Sequence, residues 1–204
     1  MIRLVRLILA THNAGKVVEL RQILGAAGME VELLGMDSFP DVADVVETGV
    51  TFAENALLKA HAVARATQLP AIADDSGLAV DVLGGSPGVF SARWSGRHGD
   101  DSANLELLLA QLGDVPDEYR QAHFACAAAL ALPDGREEVR HGRMPGRLIR
   151  ERRGGNGFGY DPIFVPDGHT RTSAELTPDE KNAISHRGHA FRLLAADLPG
   201  ILPG

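Results

Sequence analysis

Residues 70–82 read Pro70-Ala71-Ile72-Ala73-Asp74-Asp75-Ser76-Gly77-Leu78-Ala79-Val80-Asp81-Val82. Proline stops whatever precedes it, and Ala71 to Ala73 make a short buried strand. Asp74 and Asp75 follow at the strand's C-terminal end. Leu78, Val80 and Val82 then alternate with Asp81 as a second strand. Open α/β sheets bind ligands at the carboxyl ends of their strands, so two adjacent carboxylates tied between core strands mark a candidate site. A solvated turn is the other reading of the same residues.

The flanking sequence extends this strand into an α/β pattern. Leu4 to Ala10 reads as a buried strand running into the polar loop Thr11-His12-Asn13-Ala14-Gly15, after which Val17, Leu20, Ile23 and Leu24 recur at helical spacing until Gly28. Val31 to Leu34 is a short strand, and an acidic segment from Asp37 to Thr48 shows no period. Thr51 to Gln68 is a helix rich in Ala and Leu, opened by a Thr51/Glu54 capping box. Downstream, Gly84 to Asp101 is irregular, Asn104 to Leu112 is helical, and His123 to Leu132 is a strand whose alanines imply close packing. Pro133-Asp134-Gly135 turns it into a partner near Glu138 to His141. Arg150 to Gly159 is a glycine-rich loop able to approach a ligand closely. Thr177-Pro178-Asp179-Glu180 starts another helix, and Phe191 to Leu198 is the last. The reading is one α/β domain over 1–204 with no repeat or linker.

With 45% apolar residues the chain can fill a core. Its net charge of −7 argues against a broad nucleic-acid or membrane-surface footprint. The N-terminal MIRLVRLILA, interrupted by Arg3 and Arg6, reads as a strand and not as a signal peptide. Cys126 is the single cysteine, which excludes an intrachain disulfide, fits a reducing cytoplasmic setting and reads as a small core residue.

Of 20 basic residues only Lys16, Lys59 and Lys181 are lysines. An ammonium is a compact, rotatable point charge suited to a single phosphate oxygen, where guanidinium offers a flat fork. Lys16 closes Thr11 to Gly15 at the start of a helix, a place where backbone N–H groups bind phosphate. The segment lacks the G-x-x-x-x-G-K-[ST] spacing, which disfavours a Walker-type NTPase. Asp74 and Asp75 with a third acid such as Glu47 would suit Mg²⁺, which takes oxygen ligands and can orient phosphates and activate water. Phe158, between Gly157 and Gly159, and Tyr160 just after them are either hydrophobic plugs or a platform for a flat base. Ser185-His186-Arg187-Gly188 adds donors near Lys181.

In this order THNAGKVVEL, ETGVTFAENALLKA, PAIADDSGLAVDVLGGSPGVFSARWSG, GFGYDPIF and ELTPDEKNAISHRGHA resemble the inosine/xanthosine triphosphate pyrophosphatase family over about Leu7 to Leu198. The resemblance implies an elongated mixed β-sheet with flanking helices, two lobes around a central nucleotide cleft, Mg²⁺ dependence and a homodimer. It also implies cleavage of ITP, dITP or XTP to the monophosphate and pyrophosphate. Carried onto this chain, Thr11, His12, Asn13, Ala14, Gly15 and Lys16 would hold the phosphates, with Lys59 and Lys181 reaching the triphosphate. Asp75 would activate water and ligate metal, with Glu47 and Asp74 completing the acidic site in an open division of roles. Ser76 would lie beside the substrate. Phe158 would stack on the base, Gly159, Tyr160 and Asp161 would shape its pocket, and His186 and Arg187 would reach its polar edge. Donors aimed at the 6-oxo group would lose their partner with ATP, which discriminates against it. Trp94 stands where the family pattern leads one to expect tyrosine. A Maf-like pyrophosphatase acting on other bases and a non-catalytic nucleotide-binding module are the rival readings.

Overall fold

The protein is described here over residues 5–202 from a computed structural model; Leu4, the first residue of the expected opening strand, lies outside them. Strands β1 (Val5–Leu9), β2 (Val31–Gly35), β3 (Ala71–Val80), β4 (Gln121–Ala131), β5 (Glu137–Leu148) and β6 (Phe164–Pro166) form one sheet in the order β2-β1-β3-β4-β5-β6. Helices α1 (Ala14–Ala26), α2 (Phe52–Thr67), α3 (Asp101–Gln111), α4 (Pro178–Ile184) and α5 (His186–Ile201) complete a mixed α/β fold. β1 runs parallel to β2 and β3, and β5 antiparallel to β6. Among the described residues no helix is long and apolar enough to cross a membrane.

The chain forms two compact units. The first contains residues up to Asp75, Cys126–Gly142 and Arg187 onward; the second contains Ser76–Ala125 and Arg143–His186. Strands β3, β4 and β5 each pass from one unit into the other.

In the first unit, alternate strand residues enter different cores, as the two-residue period of a strand requires. Leu7, Leu9, Ile72, Cys126, Ala128 and Leu130 pack with Leu20 and Leu24 of α1 and Phe191, Leu194 and Leu198 of α5. Ile8, Ala71, Ala73, Ala127 and Ala129 pack instead with Ala56, Ala60, Val63 and Ala64 of α2. There alanine meets alanine, which is the close packing that the composition of β4 implied. Cys126 is 1% exposed, and burial pushes its thiol pKa far up, so it is an inert core residue. The second unit is built on Leu78, Val80, Phe124, Met144, Leu148 and Phe164 with Leu105 and Leu108 of α3 and Leu112 at its C-terminal cap. Arg120 is buried there, donating to the carbonyls of Leu112, Leu148 and Ile149, so its guanidinium satisfies an orphan acceptor at the end of α3.

Several boundaries differ from those read in the sequence. The expected break at Asp74-Asp75-Ser76-Gly77 does not exist: β3 continues through it to Val80, and Val82 falls in a 3₁₀ turn, Asp81–Leu83. β1 stops earlier, pairing as far as Leu9 with Ile72, so the acidic pair still lies just past the carboxyl end of a parallel neighbour. Thr51 caps α2 through the Glu54 N–H, but the Glu54 carboxylate accepts from Val50 instead of closing the box on Thr51. The box at Thr177 and Glu180 does close. α3 begins at Asp101, with Asp100 as its cap, and α5 begins at His186. β5 runs seven residues beyond the expected end at His141, burying Gly142, Met144, Gly146 and Leu148 while Arg143 and Arg147 face outward.

Gly146 shows why glycine alternates there. A β-carbon on it would fall 2.3 Å from the Val165 carbonyl oxygen and 2.7 Å from the Phe164 ring. Gly146→Ala should therefore lower unfolding stability by about 2 kcal/mol, the usual scale of overpacking, as read from urea denaturation.

Candidate active site

In the first unit the site begins where β1 gives way to α1. The Asn13 side chain caps the helix, accepting from Gly15 N at 2.9 Å and Lys16 N at 3.3 Å, while Thr11 Oγ1 accepts from Asn13 N at 3.1 Å. The loop is thus stiffened by its own side chains, and two N–H groups expected for an anion are already engaged. His12 points to the exposed carboxylates Asp37 and Asp44, at 3.4 and 3.3 Å. Lys16, in the first turn, leaves its own element and donates to both Asp74 oxygens at 2.9 Å. Arg187 Nε adds a third bond to Asp74 at 3.0 Å.

The Asp74 side chain is 2% exposed. Burial alone would raise its pKa, but Lys16 and Arg187 outweigh burial and hold the carboxyl far below the usual range. Asp75, one residue on, has a different set of partners, as successive strand residues do. Its Oδ2 accepts from Asn55 Nδ2 at 3.1 Å, and its Oδ1 lies 3.9 Å from Lys59 Nζ. Lys59 also donates to Glu47 at 2.7 Å. Asn55 and Lys59 are four apart on α2 and so share a face.

Asn55 was not singled out in the sequence. It is fully buried, and its Oδ1 accepts from Gly49 N at 2.8 Å while its amide holds Asp75. A β-carbon on Gly49 would sit 2.6 Å from Glu54 Cβ, so Glu47-Thr48-Gly49 can lie against α2 only with glycine at its end. A polar amide in an otherwise Ala- and Leu-rich helix, four residues before a rare lysine, was the available signal.

Among the described residues no group of three or more His, Cys, Asp or Glu is arranged to hold a metal, so Glu47, Asp74 and Asp75 do not form one. Glu47 and Asp75 gather around Lys59, whereas Asp74 belongs to Lys16 and Arg187. Two carboxylate oxygen donors fit Mg²⁺, which is usually held by one or two carboxylates plus waters and substrate phosphates.

The second unit holds a pocket of about 120 Å³ lined by Ser76, Phe158, Tyr160, Lys181 and His186, among others. Phe158 is 64% exposed and stands between Gly157 and Gly159, both at positive φ. Buried Asp161 accepts from Phe158 N at 2.9 Å and from Lys181 Nζ, and that ammonium lies 5.2 Å from the centre of the Phe158 ring. A β-carbon on Gly157 would fall 2.1 Å from the Asp161 carboxylate, so this glycine makes room for the protein's own ion pair. Likewise, Gly154 lies against the Ala174 backbone. The close approaches expected of the glycine loop are internal at both positions. Tyr160 is buried and donates to the Ser91 carbonyl at 2.9 Å; burial raises its pKa and keeps the hydroxyl protonated. His186 stacks on Phe124 at 5.1 Å, while its chain neighbour Arg187 belongs to the first unit and Asp74.

In this α/β chain the first unit thus carries a buried carboxylate cluster bound by lysine and arginine, and the second an aromatic pocket. The sequence model of the Ham1 family matches residues 7–197, and the chain belongs to that family. A Streptomyces avermitilis protein named dITP/XTP pyrophosphatase is 70% identical over 189 residues, covering 93% of this chain and 94% of its own. A Frankia alni protein of the same name is 59% identical over 202 residues, covering 97% and 98%. Among solved structures, a HAM1 protein from Coxiella burnetii aligns with TM-score 0.89 at 42% identity over 97% of this chain and 100% of that one. A Mycobacterium abscessus nucleoside-triphosphatase / dITP/XTP pyrophosphatase aligns with TM-score 0.80 at 54% identity over the same shares.

Depression of the Asp74 pKa makes acid stability a test. The unfolded chain takes up the proton first as pH falls, so the cluster's contribution is complete above the unfolded carboxyl's pKa of about 3.9 and is lost below it. The pKa of Glu19 in α1 is raised instead, because burial outweighs the lowering by Arg187 and Lys16 there. Asp74→Asn should cost about 3 kcal/mol at pH 7, leaving Lys16 and Arg187 facing a neutral amide, and should flatten the stability profile below pH 4. Urea titrations across pH measure both.

Proposed function

We propose that the chain hydrolyses purine nucleoside triphosphates outside the standard four, dITP, ITP and XTP, to the monophosphate and pyrophosphate. The observation that carries this reading is the 70% identity to a protein named dITP/XTP pyrophosphatase, and the site chemistry agrees with it.

In this reading the base stacks on Phe158 in the second unit, with Lys181 held over the ring by Asp161. The triphosphate is met by Lys16, Lys59 and the loop from Thr11 to Gly15. Lys16 and Arg187, paired with Asp74, carry fixed charge that needs no reorganisation when the substrate arrives. Lys16 remains about a quarter exposed and keeps one ammonium hydrogen for a phosphate oxygen. Asp75 accepts the proton of the attacking water, whose oxygen bonds to the α-phosphorus as the bond to the bridging oxygen breaks and pyrophosphate leaves. Asn55 holds the Asp75 oxygen that is turned away from Lys59. Glu47 and Asp75 would hold Mg²⁺, which supplies charge neutralisation for the phosphates and a more acidic water.

Pyrophosphate release measured with ITP, XTP, dITP, GTP, ATP, UTP and TTP should favour the first three and vanish with EDTA. A pyrimidine preference would replace this reading with a Maf-like one, and ITP binding without turnover would leave a binding module. Asp75→Asn should lower kcat by about 10²–10⁴ with the melting temperature little changed. Lys59→Arg should also lose activity, because a planar fork cannot take the place of an ammonium between Glu47 and Asp75.

A further inference from the structure

Phe158 needs an explanation that its own packing does not give. The residue is 64% exposed, and on either side of it are glycines at φ 75° and 60°. Glycine loses more backbone freedom on ordering than any other residue, so a free loop of this composition would have to be fixed each time a base bound. The loop is instead gripped at two consecutive N–H groups, each by a carboxylate. Phe158 N donates to Asp161 Oδ2 and Gly159 N donates to Asp101 Oδ2, both at 2.9 Å. Asp161 lies three residues along the same loop and moves with it. Asp101 lies 58 residues away, in the first turn of α3.

α3 is a firm anchor. Leu105 and Leu108 bury its inner face and Leu112 its C-terminal cap, Asp100 caps its start through Ala103 N, and Asn104 accepts from the backbone and hydroxyl of Ser95. The first two turns of α3 also hold the loop's other end, where Arg152 donates to the carbonyl and hydroxyl of Ser102 and to Glu106. The Asp101 side chain also lines the Phe158 pocket.

We propose that Asp101 is a positioning residue for base recognition: by fixing Gly159 N to α3, it holds the Phe158 platform in its stacking position before substrate arrives. The role rests on the nucleotide reading above. It concerns the acceptor oxygen and not the charge, so asparagine, which keeps an acceptor, recovers most of what alanine loses.

Two readouts test this. In steady-state assays with ITP, Asp101→Ala should raise KM about tenfold with kcat within about twofold, and Asp101→Asn should return KM to within about threefold of the unaltered enzyme. In hydrogen–deuterium exchange of the substrate-free protein, segment 154–160 should exchange faster in Asp101→Ala and at the original rate in Asp101→Asn, with the rest of α3 unchanged. Unaltered exchange in Asp101→Ala, or an asparagine variant as impaired as the alanine one, overturns the proposal. If the unaltered chain fails to hydrolyse ITP, the substrate reading falls on its own, and exchange still decides whether Asp101 anchors the loop.

Discussion

Asp74 places a carboxylate in the interior of the first unit, and the surrounding elements are arranged to make that tolerable. Stripping water from such a group costs several kcal/mol, and the cost is recovered only when geometry and hydrogen bonding are good. Lys16 from α1 and Arg187 from α5 meet that condition with three hydrogen bonds, drawing two helices from opposite ends of the chain onto β3. The cluster cannot lose one member without leaving the others as uncompensated charge. It is both a structural joint and a store of oriented positive charge beside the loop that opens α1.

The period of the strand then separates two adjacent carboxylates. Asp74 is committed to the cationic pair, while Asp75 lies with Asn55, Lys59 and Glu47. This division, open from the sequence, follows from one residue of register: continuing β3 through the acidic pair sends consecutive side chains to different partners. Had the segment been a turn, both could have shared one environment and repelled each other.

Much of the first unit was legible. Strand, loop and helix at residues 5–26 and the Ala-rich α2 carry local signals that tertiary contacts only reinforce, as does the capping box at Thr177 in the second unit. The continuity of β3 was hidden because Asp and Gly are poor strand formers, and the side chains that hold Asp74 and Asp75 along the extended path, Lys16, Arg187 and Asn55, are distant in sequence. The length of β5 was hidden for a related reason. Its inward positions at Gly142 and Gly146 carry no apolar side chain, so the alternation that burial displays has no hydrophobic trace in sequence. Asn55 and Asp101 went unremarked because each acts by holding a backbone N–H or a neighbouring side chain, a role that residue type alone does not announce.

Cys126 looks incidental beside these charges, yet its position has a practical consequence. The single thiol of the chain is sealed among alanines and leucines of β4, and burial suppresses the thiolate that would react. Alkylating reagents and oxidants therefore meet a surface that behaves as though it carried no cysteine. A probe thiol introduced on the Phe158 loop or on α2 would report alone, so spectroscopic labels could be placed in either unit without first removing a native residue.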